Sequence, residues 1–319
     1  MNKTIECVEN VGIVPVIAIP DVESACPLAM ALERGGIPLM EVTFRNAHAA
    51  ACILAVKKRY PDMIVGAGTI LATEQVDAAL AAGADFIVAP GLNPEVVEYC
   101  GKKETLILPG CVTPTEIEAG RKLGLRLFKF FPSEQHGGVK TVAELCGPYR
   151  DVKFIPTSGI TLQNLPDYMA CDKVAAVGGS FMAPASFVAA GEWEKITERC
   201  KLAVRTALNF RLIHVGVNGT RDEGEARAKR FAEIFDLPCR QGGRSDFAGD
   251  IFESGKIRFP GENGHIAIGT PSLERAAAFL KKRGVAFREE FKLTDENGRL
   301  VALYLEEEIG GFAIHLLRK

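Results

Sequence analysis

Pairing is what the cysteines of this 319-residue sequence lack. Nine are scattered singly, at positions 7, 26, 52, 100, 111, 146, 171, 200 and 239, with no C-x-x-C spacing. An odd, unpatterned set excludes a regular disulfide framework and points to reduced thiols in a cytoplasmic protein. Long apolar runs are missing too. None approaches membrane-spanning length, and the opening "MNKTIECVEN" has no signal-peptide apolar core. Charge of one sign is not in excess: the formal net charge is -2, so electrostatics gives no reason to expect nucleic acid or an anionic membrane as partner. No G-x-G-x-x-G opens the first crossover, which argues against an open dinucleotide-binding sheet. Histidine is scarce, with five in the whole chain.

What is present is a globular composition, with 47% hydrophobic and 24% charged residues, on a chain long enough for a large domain and a smaller one. Eight short apolar segments recur through the first two-thirds: "GIVPVIAI", "PLMEVTF", "MIVGAGTI", "DFIVAPG", "TLILPGC", "LFKFFP", "KFIPTSGI" and "KVAAVGG". Amphipathic Ala-rich segments such as "ESACPLAMALERGG" separate them, several closed by Gly. Strands that are apolar on both faces and alternate with helices indicate a parallel sheet covered by helices. Eight of them over roughly 200 residues predict an α/β fold, a (β/α)8 TIM barrel, over 1–209. After "EWEKITERCKLAVRTAL" the order changes to strand, helix and three strand-like pieces, written twice. That predicts an α+β domain of two βαβββ modules over 210–319, with no Gly/Ser or Pro-rich linker before it.

In a parallel barrel the reactive groups sit at the C-terminal ends of the strands. The second strand ends "EVTFRN", where period-two alternation puts Glu41, Thr43 and Arg45 on the inward face. The sixth carries Lys129 among Phe128, Phe130 and Phe131. Burying an ammonium is costly unless it is paired or gives up its proton, and a neutral lysine in a dry pocket is a nucleophile. Each feature has a plainer reading: a Glu41–Arg45 ion pair filling a barrel layer, a Lys129 stem packed on phenylalanines, ordinary turns at "TSGI" and "GGS". Their convergence in one barrel, opposite loops suited to hold phosphate, favours a site.

With "EVTFRN", "VGAGTI", "PGLNPEV", "LPGCVTPTE", "FKFFPSE…GGVK", "PTSGI" and "VGGSFM" in this order, residues 10 to about 207 resemble the 2-keto-3-deoxy-6-phosphogluconate and 4-hydroxy-2-oxoglutarate aldolase family. The resemblance implies a homotrimeric barrel and a class I aldolase without a cofactor, cleaving a small 2-keto acid to pyruvate and an aldehyde. It implies Schiff-base chemistry at Lys129 and acid/base chemistry at Glu41. Carboxylate contacts fall to Arg45 and Thr69, the pocket wall to Pro90 and Phe131, and phosphate contacts to Thr157, Ser158 and Gly159 and to Gly178, Gly179 and Ser180. Ser158 is a departure, because the family commonly has glycine there. Either the serine obstructs phosphate or it adds a hydrogen bond, so a non-phosphorylated substrate stays open. The barrel alone also allows a phosphosugar epimerase or isomerase.

Residues 211 to 319 resemble the vicinal oxygen chelate (glyoxalase-like) superfamily through the doubled module. The resemblance implies metal ligands on the first and last strands of each module: His214 in "LIHVGVN", Glu253 in "DIFESG", His265 in "GHIAIGT" and His315 in "FAIHLL". Imidazole and carboxylate suit a divalent ion such as zinc, nickel, manganese or iron. His315 stands where a glutamate is commoner. The alternatives are strand histidines that only pack, and a domain that regulates or assembles rather than catalyses.

Overall fold

A computed structural model describes residues 3–319, and the chain divides into two compact units, Met1–Ala207 and Leu208–Lys319. In the first unit eight short strands alternate with helices: β1 (Ile13–Ile17), β2 (Leu39–Thr43), β3 (Ile64–Gly68), β4 (Phe86–Val88), β5 (Ile107–Leu108), β6 (Leu127–Phe130), β7 (Lys153–Pro156) and β8 (Val177–Gly179). All their pairings are parallel. Six lie in the order β5-β4-β3-β2-β1-β8, and β6 pairs with β7. Isolated parallel bridges, Gly110 to Lys129 and Thr157 to Gly178, carry the curl of the sheet onward between these groups.

The core explains this arrangement. Phe128 and Phe130 are fully buried and pack on Phe154 of the neighbouring strand, with ring centroids 6.1 and 6.0 Å apart. The helix Pro114–Lys122 approaches β6 through Gly120, where a Cβ would run into the Phe128 ring. That helix starts at a capping box, in which Thr113 and Glu116 satisfy each other's backbone N–H groups. With Phe128 and Phe130 committed to the helix layer, alternation along β6 turns Lys129 to the opposite face.

The second unit holds β9 (Arg211–Val217), β10 (Cys239–Gln241), β11 (Ser245–Ala248), β12 (Phe252–Gly255), β13 (Gly264–Thr270), β14 (Phe287–Thr294), β15 (Leu300–Ile309) and β16 (Phe312–Arg318). They form one sheet in the order β10-β11-β12-β9-β13-β16-β15-β14. β9 is parallel to β12 and β13 is parallel to β16, while β9 and β13 meet antiparallel. The helices Arg221–Phe235 and Leu273–Lys281 follow β9 and β13. No helix among the described residues is long and apolar enough to cross a membrane.

Candidate active site and candidate metal centre

Lys129 and Glu41 meet inside the first unit. The Lys129 Nζ lies 3.2 Å from Glu41 Oε1, and the two residues are only 7% and 3% exposed. Neighbouring glycines make the room. A Cβ on Gly68 would strike the Glu41 carboxylate, and one on Gly110, bridged to Lys129, would strike the Pro90 carbonyl. The Phe131 ring lies 5.5 Å from the ammonium, so Phe131 borders the lysine, while the Pro90 carbonyl packs on Gly110 of the neighbouring strand end. Thr69 follows β3 with φ of 61°, a conformation in which a β-branched residue costs about 1–3 kcal/mol. Such strain persists where the surroundings over-determine it.

Arg45 departs from the expected inward triplet. β2 ends at Thr43, so strand alternation no longer governs residue 45, and Arg45 is exposed without an ion-pair partner among the described residues. The expected structural pair with Glu41 is absent there, since Glu41 pairs with Lys129. Thr157 bridges Gly178, and a Cβ on Gly178 would meet the Thr157 hydroxyl, so the two Gly/Ser turns lie side by side. Ser158 has φ of 83°, the left-handed conformation of a glycine, and Gly159 follows at 78°. Gly179 is half-buried and Ser180 exposed.

The support beneath this loop has no signature in the local sequence. The Ser133 amide donates to the Thr157 carbonyl (2.8 Å), and the Glu134 side chain occupies the space a Cβ on Gly159 would need. Tyr168 donates to Glu134 and shares a 2.9 Å hydrogen bond with Ser133. Burial raises the Tyr168 phenol well above its ordinary value, and the Glu134 carboxylate adds to the shift.

In the second unit the ligating candidates form a checkerboard on one face of the sheet. One row runs Glu253, Gly216, His265, Ala313 across β12, β9, β13 and β16. The next runs His214, Ala267, His315, Tyr304 across β9, β13, β16 and β15. Small residues beside each long one leave a hollow where four donor groups converge. Ligand atoms of the three histidines all lie within 4.8 Å of one another. Glu253 Oε2 is 3.1 Å from His214 Nε2 and 3.2 Å from His265 Nε2, and those two nitrogens are 3.2 Å apart.

Donor atoms about 2.0–2.1 Å from a shared ion stand roughly 2.8–3.4 Å from one another, between octahedral and tetrahedral geometry. The three spacings among Glu253, His214 and His265 fall in that range, and a ring nitrogen of His315 lies within 4.8 Å of those of the other two histidines. Both ring nitrogens of His315 and Nδ1 of His265 are buried without a hydrogen-bond partner, a costly state that an ion would relieve at a ligating nitrogen. Burial and the neighbouring His265 and His214 push His315 down to about 3, so its ring is neutral as a ligand requires. Burial pushes the Glu253 carboxyl up, but hydrogen bonds from His214, His265 and Ser245 outweigh it and hold it well below the usual carboxylate range. The residues present fit a divalent ion.

The KDPG and KHG aldolase family pattern matches residues 4–199. A 2-dehydro-3-deoxy-phosphogluconate aldolase of Treponema pallidum is 46% identical over 197 residues, covering 62% of this chain and 94% of that protein. The KHG/KDPG aldolase of Escherichia coli is 40% identical over 195 residues, 61% of this chain and 92% of the relative. Among solved structures, a KDPG aldolase from Legionella pneumophila, with pyruvate captured as a covalent carbinolamine intermediate, superposes with a TM-score of 0.61. It shares 35% identity and covers 63% of this chain and 98% of its own. The Zymomonas mobilis 2-keto-3-deoxy-6-phosphogluconate aldolase with 3-phosphoglycerate gives 0.60 at 35% identity, covering 64% and 96%. These matches define the first unit as an aldolase, a carbon–carbon lyase. The chain belongs to the KDPG and KHG aldolase family.

Proposed function

We propose that the first unit is a (β/α)8 barrel, a reading that the bridges from Gly110 to Lys129 and from Thr157 to Gly178 support, and that it cleaves 2-keto-3-deoxy-6-phosphogluconate, 4-hydroxy-2-oxoglutarate or both through a Schiff base on Lys129. The observation that carries the residue assignment is the buried Lys129–Glu41 pair at 3.2 Å. The Lys129 amine attacks the substrate ketone carbon, and loss of water from the carbinolamine leaves an iminium. Glu41 takes the proton of the C4 hydroxyl, the C3–C4 bond breaks, and its electron pair moves into the iminium to give an enamine. The aldehyde departs, a proton returns to C3 from Glu41, and water releases pyruvate and the free amine. The carboxylate, within hydrogen-bond reach of the amine, can serve each of these transfers.

Thr69 and Arg45 are read as partners of the α-keto carboxylate, Arg45 by swinging in from the mouth, and Pro90 and Phe131 as the wall. Thr157, Ser158 and Gly159 with Gly178, Gly179 and Ser180 are read as the phosphate cradle. The left-handed turn at Ser158 supports this, because it keeps the backbone path a glycine would give. The 3-phosphoglycerate in the Zymomonas structure supports a phosphorylated substrate. The products are pyruvate with glyceraldehyde 3-phosphate or glyoxylate. A cytoplasmic homotrimer is the assembly we expect from the family resemblance. The test is pyruvate release from each of the two acids by the purified chain; release from neither overturns the reading.

For the second unit we propose a vicinal oxygen chelate-like domain of two βαβββ modules, with His214, Glu253, His265 and His315 holding a divalent ion. When bound, that ion supplies a Lewis-acidic centre for oxygen ligands. Glu253 and the three imidazoles hold it, and the Tyr304 ring, stacked on His315 at 4.7 Å and 13°, fixes the orientation of that ligand.

A further inference from the structure

The loop after β7 has its carbonyls committed on one side. The Thr157 carbonyl accepts from the Ser133 amide (2.8 Å), the Ser158 carbonyl from the Glu134 amide (3.4 Å), and the Gly159 carbonyl from Asn164 Nδ2 (3.0 Å). In a trans peptide the carbonyl and the N–H that follows it point in opposite directions. The N–H groups of Ser158, Gly159 and Ile160 are therefore turned away from this support, and none of the three has an acceptor among the described residues. Successive amides presented in this way form a concavity for an anion. Side chains hold the arrangement. Asn164 spans the loop, its Oδ1 accepting from the Thr161 amide (2.8 Å) while its Nδ2 holds Gly159. Glu134 is wedged between two glycines, since a Cβ on Gly159 would meet its methylenes and one on Gly138 its carboxylate. Tyr168, itself buried, donates to that carboxylate and bonds Ser133, whose amide carries the Thr157 carbonyl. Burial keeps the phenol protonated and so a donor. Lys129 and Glu41 bond to each other and to none of these residues.

We propose that Asn164 and the Tyr168–Glu134 pair are positioning residues for substrate choice: they keep three successive N–H groups, that of Ile160 included, in one concavity that selects a 2-keto acid ending in phosphate over one ending in carboxylate. The inference rests on the phosphate cradle proposed above and deepens it. Three converging donors match the three free oxygens of a phosphate ester, and hydrogen bonds to such an anion are the strong, charge-assisted kind. 4-Hydroxy-2-oxoglutarate ends one carbon earlier in a carboxylate, which offers two oxygens and reaches less far from Lys129. None of the three side chains needs to touch the substrate. Each fixes a carbonyl, directly or through a neighbour, and thereby the direction of the N–H on the other side of that peptide. Loss of one clamp lets a peptide rotate and scatters the donors, at a cost borne by the phosphorylated acid.

The test measures kcat/KM of the full chain for 2-keto-3-deoxy-6-phosphogluconate and for 4-hydroxy-2-oxoglutarate, and takes their ratio. The ratio does not depend on how much of a variant is folded. Asn164→Ala and Tyr168→Phe should each lower it about tenfold, the loss falling on the phosphorylated acid. Glu134→Ala should do the same, whereas Glu134→Gln keeps the wedge and an acceptor for Tyr168 and should restore the parental ratio. Trapping of pyruvate at Lys129 with borohydride shows that the reacting end of the site survives in each variant. Should Tyr168→Phe fail to fold, Asn164→Ala on the half-buried loop decides alone. A parent chain that does not prefer the phosphorylated acid overturns the phosphate reading, and this inference with it. A parent that prefers it, with Asn164→Ala keeping the full preference, overturns the inference while the phosphate reading stands. Equal losses on both acids also overturn it, since they mark a general support of the barrel. A Glu134→Gln chain as impaired as Glu134→Ala overturns the part given to the wedge.

Discussion

Lys129 sits where a charge is least comfortable, and Glu41 is the neighbour that makes its burial tolerable. A buried ammonium against a carboxylate at 3.2 Å is satisfied before substrate arrives, and the same pair can exchange protons afterwards. Glu41→Gln keeps the shape and the acceptor but cannot take a proton. It should lower kcat for pyruvate release about 10²–10⁴-fold with a smaller change in KM, measured by steady-state kinetics. An unchanged kcat would remove Glu41 from the proton transfers. Ser158 is a second residue-scale test. A left-handed residue other than glycine carries about 1 kcal/mol or more of strain. Ser158→Gly should raise the urea-unfolding stability of the first unit by about 1 kcal/mol. If the hydroxyl adds a hydrogen bond to phosphate, the same change raises KM for the phosphorylated acid and leaves the non-phosphorylated one unaffected. A variant less stable than its parent would show that Ser158 makes a contact worth more than its strain.

At the scale of elements, local sequence goes a long way toward the fold. Every apolar segment read as a strand in the first unit contains one, because each is a short run dominated by apolar residues. Arg45 escapes the period-two pattern for a physical reason: alternation holds only within a strand, and β2 ends two residues earlier. The Ser133–Glu134–Tyr168 support was invisible, since Tyr168 lies more than 30 residues downstream and only tertiary packing brings it beneath the loop. The checkerboard in the second unit had a readable trace. The triplets "HVG", "HIA" and "AIH" each place a histidine and a small residue on one face of a strand. Gly216 tests it. A methyl there would collide with the His265 imidazole, so Gly216→Ala should weaken divalent-ion binding about 10–100-fold without touching a ligand. Isothermal titration would measure this, with aldol cleavage as the control expected to stay normal. Parental metal affinity would mean the imidazole does not need its present place.

On the scale of the whole molecule, two units with separate cores need not unfold as one. Their acid responses should differ. In the metal-free second unit His315 is held down to about 3 and Glu253 lies below its ordinary range. The unfolded chain therefore binds protons more readily at both residues, and the stability they confer is full above about pH 6.5. It is lost as pH falls from there, first through His315 and then through Glu253. Chelator-treated protein should show the second unit's urea transition moving to lower denaturant between neutral pH and pH 4, with added zinc opposing the shift near neutrality. A transition that does not move with pH would mean the cluster is not buried as described.

Covalent chemistry at Lys129 can be tested directly. The chain would be incubated with pyruvate and borohydride, and its intact mass and modified peptide determined. One reduced pyruvyl adduct per chain, mapped to Lys129, is expected. No adduct on folded protein, or an adduct at another lysine, would contradict it.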